Sequence, residues 1–183
     1  MSDYALLDSG HGRKLERFGR WVLARPSATA VWAPALPRSA WEEAHAAFDR
    51  EGRNKWTFRE PLPEQWEIGV DSLRFILNTT GFGHLGIFPE QRASWRWIDG
   101  AVRAASAALG RRARVLNLFA YSGGATLAAA DAGAEVCHLD ASRGMTNRAR
   151  ENAALNLLAE APVRWIVDDV TKFLLREQRR GNL

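Results

Sequence analysis

Three features of the sequence predict an α/β protein. After residue 93, apolar runs of strand length alternate with segments of helical period, each strand-like run ends in a small or acidic polar residue, and the connections are short. Before that point the pattern is different: short apolar and β-branched runs are separated by Gly, Pro and Asn, as in small β-rich domains. Seven of the eight Trp fall in residues 1–97, whereas Ala-rich sequence dominates after residue 93. The chain therefore divides near residue 92 into a small β-rich domain, residues 1–92, and an α/β domain, residues 93–183.

In the first domain, Trp21-Val22-Leu23, Thr29-Ala30-Val31-Trp32 and Leu73-Arg74-Phe75-Ile76-Leu77 read as strands. One short helix is expected between them, with Ser39 as its cap, Glu42 as the capping-box partner, and Trp41, Ala44, His45 and Phe48 as its apolar face. In the second domain, Trp97, Ala101, Ala104, Ala105 and Ala108 recur at helical spacing from Ala93 to about Leu109, and Gly110 ends that helix. Val115-Leu116-Asn117-Leu118-Phe119 follows as an apolar strand of the kind buried on both faces of a parallel sheet. The loop Ala120-Tyr121-Ser122-Gly123-Gly124 opens a helix to about Asp131. Residues 135–140 form a second strand, 142–157 a second helix, 163–167 a third strand and 170–179 a third helix. Right-handed crossovers through these short connections give a doubly wound sheet.

Composition removes several function classes. With 46% hydrophobic and 25% charged residues the chain is neither wholly disordered nor fibrous. A single cysteine, Cys137, excludes an internal disulfide framework and a Cys-rich zinc site, which points to a reducing compartment, the cytoplasm. No apolar run reaches the roughly 20 residues that cross a bilayer, and Met1-Ser2-Asp3-Tyr4 does not read as a signal peptide. Residues 1–92 hold 12 basic and 12 acidic side chains and residues 93–183 hold 13 and 9, so the net charge of +4 arises in the second domain. The bases are 22 Arg and only 3 Lys, which suits phosphate or carboxylate recognition. The four histidines, His11, His45, His84 and His138, show no metal-ligand spacing, and no metal is expected. Cys137, inside a strand, reads as a small core residue.

In doubly wound sheets ligands bind at the carboxyl ends of the strands, and all three ends here carry polar groups. Ser122, Gly123 and Gly124 let backbone N–H groups approach a ligand, at the positive end of the following helix. Asp140 stands where a carboxylate accepts from both hydroxyls of a ribose, and Asp168-Asp169 where an acid accepts from an adenine amine. Each also has a plainer reading: a Gly-Gly pair is common turn chemistry, Asp140 with Ser142 caps a helix, and so does Asp168 or Asp169. Together the three strand ends describe an adenosine-containing ligand. The Gly-x-Gly-x-x-Gly fingerprint is incomplete and no Gly-x-x-x-x-Gly-Lys-Ser/Thr loop exists, which disfavours a dinucleotide or a P-loop nucleotide and favours a cofactor without pyrophosphate.

These residues carry a family resemblance. The segment 115–124, then Leu139-Asp140-Ala141-Ser142 with Ala149-Arg150-Glu151-Asn152-Ala153-Ala154-Leu155-Asn156, then Asp168-Asp169-Val170-Thr171-Lys172-Phe173, closely resemble class I S-adenosylmethionine-dependent methyltransferases. The nearest group resembles the bacterial large-subunit ribosomal RNA (cytosine-carbon-5) methyltransferases, whose approach to the domain is matched by residues 81–92, ending in Gln91-Arg92. The resemblance covers roughly residues 66–180.

It implies a Rossmann-like sheet, S-adenosylmethionine as cofactor and RNA as substrate. In the family the loop matching Ala120, Tyr121, Ser122, Gly123 and Gly124 contacts the methionine portion. The acid matching Asp140 binds the ribose, and one of Asp168 and Asp169, with Asp169 preferred, approaches adenine. Asn117 matches a position that contacts the cofactor's amino group, and Arg92 is placed to reach the methionine carboxylate, where a structural ion pair would explain it equally well. Phe119, Ala141 and Ser142 complete the expected cofactor site. No catalytic residue is assigned, because the family's Asp-Pro-Pro strand has no counterpart before Leu183. The expectation is a chain that holds the first half of the sheet and stops before the catalytic half, with its first strand at an exposed edge.

The first domain offers Arg13-Lys14, Arg17 and Arg20 interleaved with Phe18 and Trp21, a mixture of cations and rings that suits RNA. A small β core with a solvated basic edge explains the same residues. Two functions therefore stand: a methyltransferase acting on RNA, in which residues 1–92 serve as a substrate-binding module, and a non-catalytic RNA- or protein-binding module built on a truncated methyltransferase fold.

Overall fold

The computed structural model describes residues 2–49 and 55–182. They fall into two compact units, Met1–Leu85 and Gly86–Leu183, which meet earlier in the chain than the compositional change at residue 92.

The first unit is built on β1 (Tyr4–Gly10), β2 (Arg13–Phe18), β3 (Trp21–Pro26), β4 (Ala46–Asp49) and β5 (Lys55–Phe58), hydrogen-bonded in that order. Pairing is antiparallel except between β3 and β4. The β1–β2 turn is two residues, His11 and Gly12, both at positive φ, the geometry whose twist matches that of the flanking strands. A separate hairpin pairs β6 (Trp66–Val70) with β7 (Leu73–Leu77). Leu15 and Ala24 pack with Ala44 on one face of the five-stranded sheet, and the opposite face buries Phe18, Leu23 and Phe48 in a core, with Ile68 and Phe75 of the hairpin also buried.

Glu16, with 0% exposure, lies in that core as a fully bonded charge. Arg25 Nη2 is 2.7 Å from its Oε2, and Lys14 Nζ and Tyr4 Oη are each 3.1 Å from its Oε1. Arg25 spends another donor on the Gly83 carbonyl, at 3.1 Å.

Four expectations for this unit are corrected. Thr29-Ala30-Val31-Trp32 is a loop, because its carbonyls are taken by the β1–β2 turn: the His11 N–H donates to Trp32 O and the Gly12 N–H to Ala30 O. The helix α1 (Arg38–Glu42) is a single turn with Pro37 at its N-cap and no side-chain cap; Ser39 lies inside it, and Glu42 pairs with Arg38 at 2.7 Å instead of closing a capping box. His45 and Phe48 are not on its face, since the chain has already turned into β4, where Phe48 is buried. Phe18 and Trp21 are buried at 0% and 7% exposure, so neither is a stacking platform, and Lys14 and Arg17 are bound to Glu16 and to the backbone of Gly19.

The second unit opens with α2 (Arg92–Leu109), which ends on Gly110 in the left-handed region at φ 62°. Then β8 (Arg114–Leu118), α3 (Gly124–Asp131), β9 (Glu135–Asp140), α4 (Arg143–Leu155), β10 (Val163–Val167) and α5 (Val170–Arg179) alternate as expected. The three strands are parallel in the order β10-β9-β8, with β9 in the middle. One face presents Val115, Val136 and Val163 to Val102 of α2 and Ala129 and Ala130 of α3. The other presents Leu118, Cys137, Leu139 and Ile166 to Val170 and Phe173 of α5.

Two details differ from expectation. The buried stripe of α2 is Trp95, Ile98, Val102 and Ala105, whereas Trp97 is 72% exposed and Ala104 and Ala108 face solvent. In an Ala-rich helix two stripes carry the same period, and the larger side chains decide which is buried. The strand expected at 115–119 is not covered on both faces: Leu116 is 37% exposed, and Phe119 leaves the strand at φ 53° with its ring 77% exposed.

Candidate cofactor site at the carboxyl ends of β8, β9 and β10

Where β8 ends, the chain makes a loop held from three directions. The Ala120 N–H donates to Leu139 O at 3.1 Å, continuing the sheet. The Tyr121 N–H donates to Asp140 Oδ2 at 2.8 Å, and from α4 the buried Asn152 Nδ2 donates to Ser122 O at 3.0 Å. Phe119 and Tyr121 both sit at positive φ, an arrangement that costs non-glycine residues energy and persists because these bonds over-determine it. The Tyr121 ring also meets that of Phe88 at 4.9 Å.

The two glycines have structural reasons of their own. Gly123 is the N-cap of α3 at φ 94°, and a Cβ there would lie 3.0 Å from Ala149 Cβ. At Gly124 a Cβ would fall 2.5 Å from Trp95 Cζ2, because α2 crosses α3 at that point. Arg92 opens α2 one turn ahead of this tryptophan.

Asp140, at the end of β9, is shared between the loop and α4: Oδ2 takes the Tyr121 N–H and Oδ1 the Ser142 N–H, each at 2.8 Å. Ser142 caps α4, accepting from the Met145 N–H at 3.3 Å, and Ala141 between them is exposed. At the end of β10, Asp168 is tied back to the sheet by its N–H to Asp140 O, and its Oδ2 binds Arg176 at 2.8 Å. That hydrogen bond holds the Asp168 carboxyl below the usual carboxylate range. Asp169 caps α5 by accepting the Lys172 N–H at 2.9 Å. The capping roles foreseen for Ser142 and Asp169 are thus present. A carboxylate accepts about four hydrogen bonds, so Asp140 and Asp169 keep acceptor capacity beyond these contacts.

Asn117, next to last in β8, donates Nδ2 to Thr126 Oγ1 at 2.8 Å, and Thr126 Oγ1 lies 2.9 Å from His138 Nδ1. Burial pushes the His138 imidazole down to about 4, against an upward pull from Asp140 and with a further downward push from Arg150. Burial raises the Cys137 thiol, which keeps it protonated and unreactive.

The geometry thus joins Ala120, Tyr121, Ser122, Gly123, Asp140 and Ser142 in one bonded unit, with Asn117 bonded separately to Thr126 of α3 and Asp168 and Asp169 at the next strand end. Sequence reasoning gave no role to Asn152, Thr126 or His138. Asn is a poor helix former, so its place inside α4 was a usable signal; a histidine between Cys137 and Leu139 in a buried strand was another. A cavity of about 720 Å³ lies elsewhere, lined by Arg114, Glu135, Val163 and Glu177 at the amino ends of the strands. No group of side chains able to hold a metal occurs among the described residues, and none of their helices is long and apolar enough to cross a membrane.

A model of the S-adenosylmethionine-dependent methyltransferase family matches residues 13–180. The chain belongs to that family. A methyltransferase of known structure from Agrobacterium tumefaciens is 44% identical, superposes with a TM-score of 0.91, and is matched over 99% of this chain and 57% of its own. Ribosomal RNA large subunit methyltransferase I from Aeromonas hydrophila is 42% identical over 125 residues, 67% of this chain and 28% of that protein. Its namesake from Salmonella arizonae is 30% identical over 186 residues, 93% of this chain and 44% of that protein. The chain therefore spans less than half the length of these two curated relatives. S-adenosylmethionine is the cofactor of the family, and the residues at the three strand ends suit it chemically: free acceptor capacity on Asn117, Asp140 and Asp169 for its amine and hydroxyl donors, and a glycine-bearing turn for close approach.

Proposed function

We propose that the chain carries the S-adenosylmethionine site of a methyltransferase that modifies large-subunit ribosomal RNA. The observation that supports this most is the Asp140 carboxylate, which fixes the β8–α3 loop and the start of α4 while keeping lone pairs for a ribose diol. In this reading Asp169 accepts from the adenine amine, and Asp168, itself held by Arg176, braces it by accepting the Asp169 N–H at 2.8 Å. Asn117 and the loop Phe119 to Gly123 receive the methionine portion, Arg92 pairs with its carboxylate, and Ala141 and Ser142 border the ribose. The cofactor supplies an electrophilic methyl group, so the protein's contribution is alignment more than acid–base chemistry. RNA as substrate is supported by the names of the relatives, and residues 1–92 are assigned as the substrate-binding module.

Calorimetric titration of S-adenosylhomocysteine into the purified chain tests the cofactor site. Saturable binding is expected, weakened at least about tenfold by Asp140→Asn, which retains a single carbonyl oxygen. Absence of binding by a folded chain refutes the assignment. Transfer of a radiolabelled methyl group to large-subunit but not small-subunit ribosomal RNA tests the substrate.

A further inference from the structure

Beneath the β8–α3 loop, Asn117, Thr126 and His138 form a hydrogen-bonded relay. Thr126 and His138 are both 0% exposed. The Thr126 hydroxyl carries a single hydrogen. It receives Asn117 Nδ2 and has His138 Nδ1 as its other partner. With the hydroxyl hydrogen directed to Nδ1, Nδ1 accepts and the ring proton is on Nε2. Reversing the relay would put the ring proton on Nδ1, turn the hydroxyl toward Asn117, and require the amide to flip so that Nδ2 faces outward. The tautomer of a buried ring and the orientation of a site amide are therefore one two-state element.

The arrangement has a cost that packing does not explain. His138 Nε2 is buried without a hydrogen-bond partner, and an apolar residue at that position would avoid the penalty. What the relay secures is the other end: Asn117 Nδ2 is committed inward, and Oδ1 is left as the acceptor at the edge of the site.

We propose that Thr126 and His138 are positioning residues that hold the Asn117 amide with its carbonyl oxygen outward, so that this position accepts a cationic ammonium group of the ligand. The proposal rests on reading the carboxyl end of β8 as the cofactor site. It assigns amine recognition to a relay two residues deep, and predicts that the relay matters only for ligands that carry the amine.

Thr126→Val removes the hydroxyl at nearly constant volume, and Thr126→Ser keeps it. Each is titrated with S-adenosylhomocysteine and with 5′-methylthioadenosine, which retains adenine, ribose and sulfur but lacks the amino-acid portion. The expected result is an affinity loss of about tenfold for S-adenosylhomocysteine in Thr126→Val, recovery in Thr126→Ser, and unchanged methylthioadenosine binding in both. Equal losses for the two ligands would show a merely structural role and overturn the proposal, as would no loss for either. The ¹⁵N spectrum of the His138 ring in the ligand-free chain reads the relay independently. An Nε2–H tautomer is expected, and an Nδ1–H tautomer overturns it. If the wild-type chain with an Nε2–H ring binds no S-adenosylhomocysteine, the cofactor reading fails together with the ligand assigned to Asn117, while the relay itself stands.

Discussion

Acidification from neutral pH to pH 4 is expected to remove about 3 kcal/mol of folding stability through His138 alone. The ring is fully buried in the folded chain and stays neutral down to about 4, whereas in the unfolded chain it titrates at its ordinary value of 6.5. Between those values the unfolded chain binds the extra proton, so stability rises with pH across this window and falls on acidification. The separation, at about 1.4 kcal/mol per pH unit, sets the magnitude. Urea unfolding of the wild type and of His138→Gln, stepped through this range, isolates the effect. Asp8, Asp168 and Glu177, whose carboxyls are all held below their ordinary values, also lose stability as the pH falls, but at the lower end and in both proteins. The wild type is expected to lose stability relative to the variant from about pH 6.5 downward. If the two curves run parallel over that range, the ring is not held neutral by burial and the proton assignment of the relay loses its basis.

Two further outcomes follow from packing. Gly124→Ala places a methyl group 2.5 Å from the Trp95 indole, and overpacking of that kind costs about 2 kcal/mol, read as a fall in Tm of about 4–8 °C. Gly100→Ala, in α2 with nothing near its added Cβ, is expected instead to stabilise by about 0.5–1 kcal/mol; a fall in its Tm would refute the helix geometry. Arg25→Met leaves Oε2 of the buried Glu16 without its partner, Lys14 and Tyr4 holding only Oε1, and is expected to cost about 3 kcal/mol in urea unfolding, with most of it recovered in Glu16→Leu/Arg25→Met. A single variant as stable as the wild type would show that the pair is hydrated.

The α/β unit was legible because its signals are local. β9, β10 and α5 start and stop at residues that are themselves turns or caps, such as Gly133, Ser142 and Asp169, and their bounds are the expected ones. The first unit was less legible because distant partners decide its local structure. Thr29 to Trp32 have strand-forming side chains, yet their carbonyls are claimed by His11 and Gly12 from another part of the sheet. Ser39 and Glu42 have capping-box spacing, yet Pro37 starts the helix two residues earlier. The same holds in the site. Asp140, Ser142 and Asp169 were visible as types at strand ends, while Thr126, His138 and Asn152 act through contacts 9, 12 and 30 residues away in sequence, which no spacing rule registers.

The structural and ligand readings of the strand-end residues were alternatives in the sequence, and the geometry makes them compatible. Asp140 uses one lone pair of each oxygen on the backbone, and Asp169 uses Oδ1 on Lys172. Asn117 uses its donor on Thr126 and keeps its acceptor. In every case the bonds that fix the side chain leave acceptor capacity for a partner rich in donors: an ammonium, a diol, an amine. Gly123 and Gly124 follow the same logic, since the contacts to Ala149 and Trp95 that forbid a Cβ also lock the turn. A loop already held by Asp140, Asn152 and the sheet needs little reordering when a ligand arrives, and avoiding that entropic cost strengthens binding without any added contact. Substitutions that loosen the loop, such as Asn152→Ala, are therefore expected to weaken S-adenosylhomocysteine and methylthioadenosine alike, in contrast to Thr126→Val, which distinguishes a loop anchor from an amine-positioning residue in one pair of titrations.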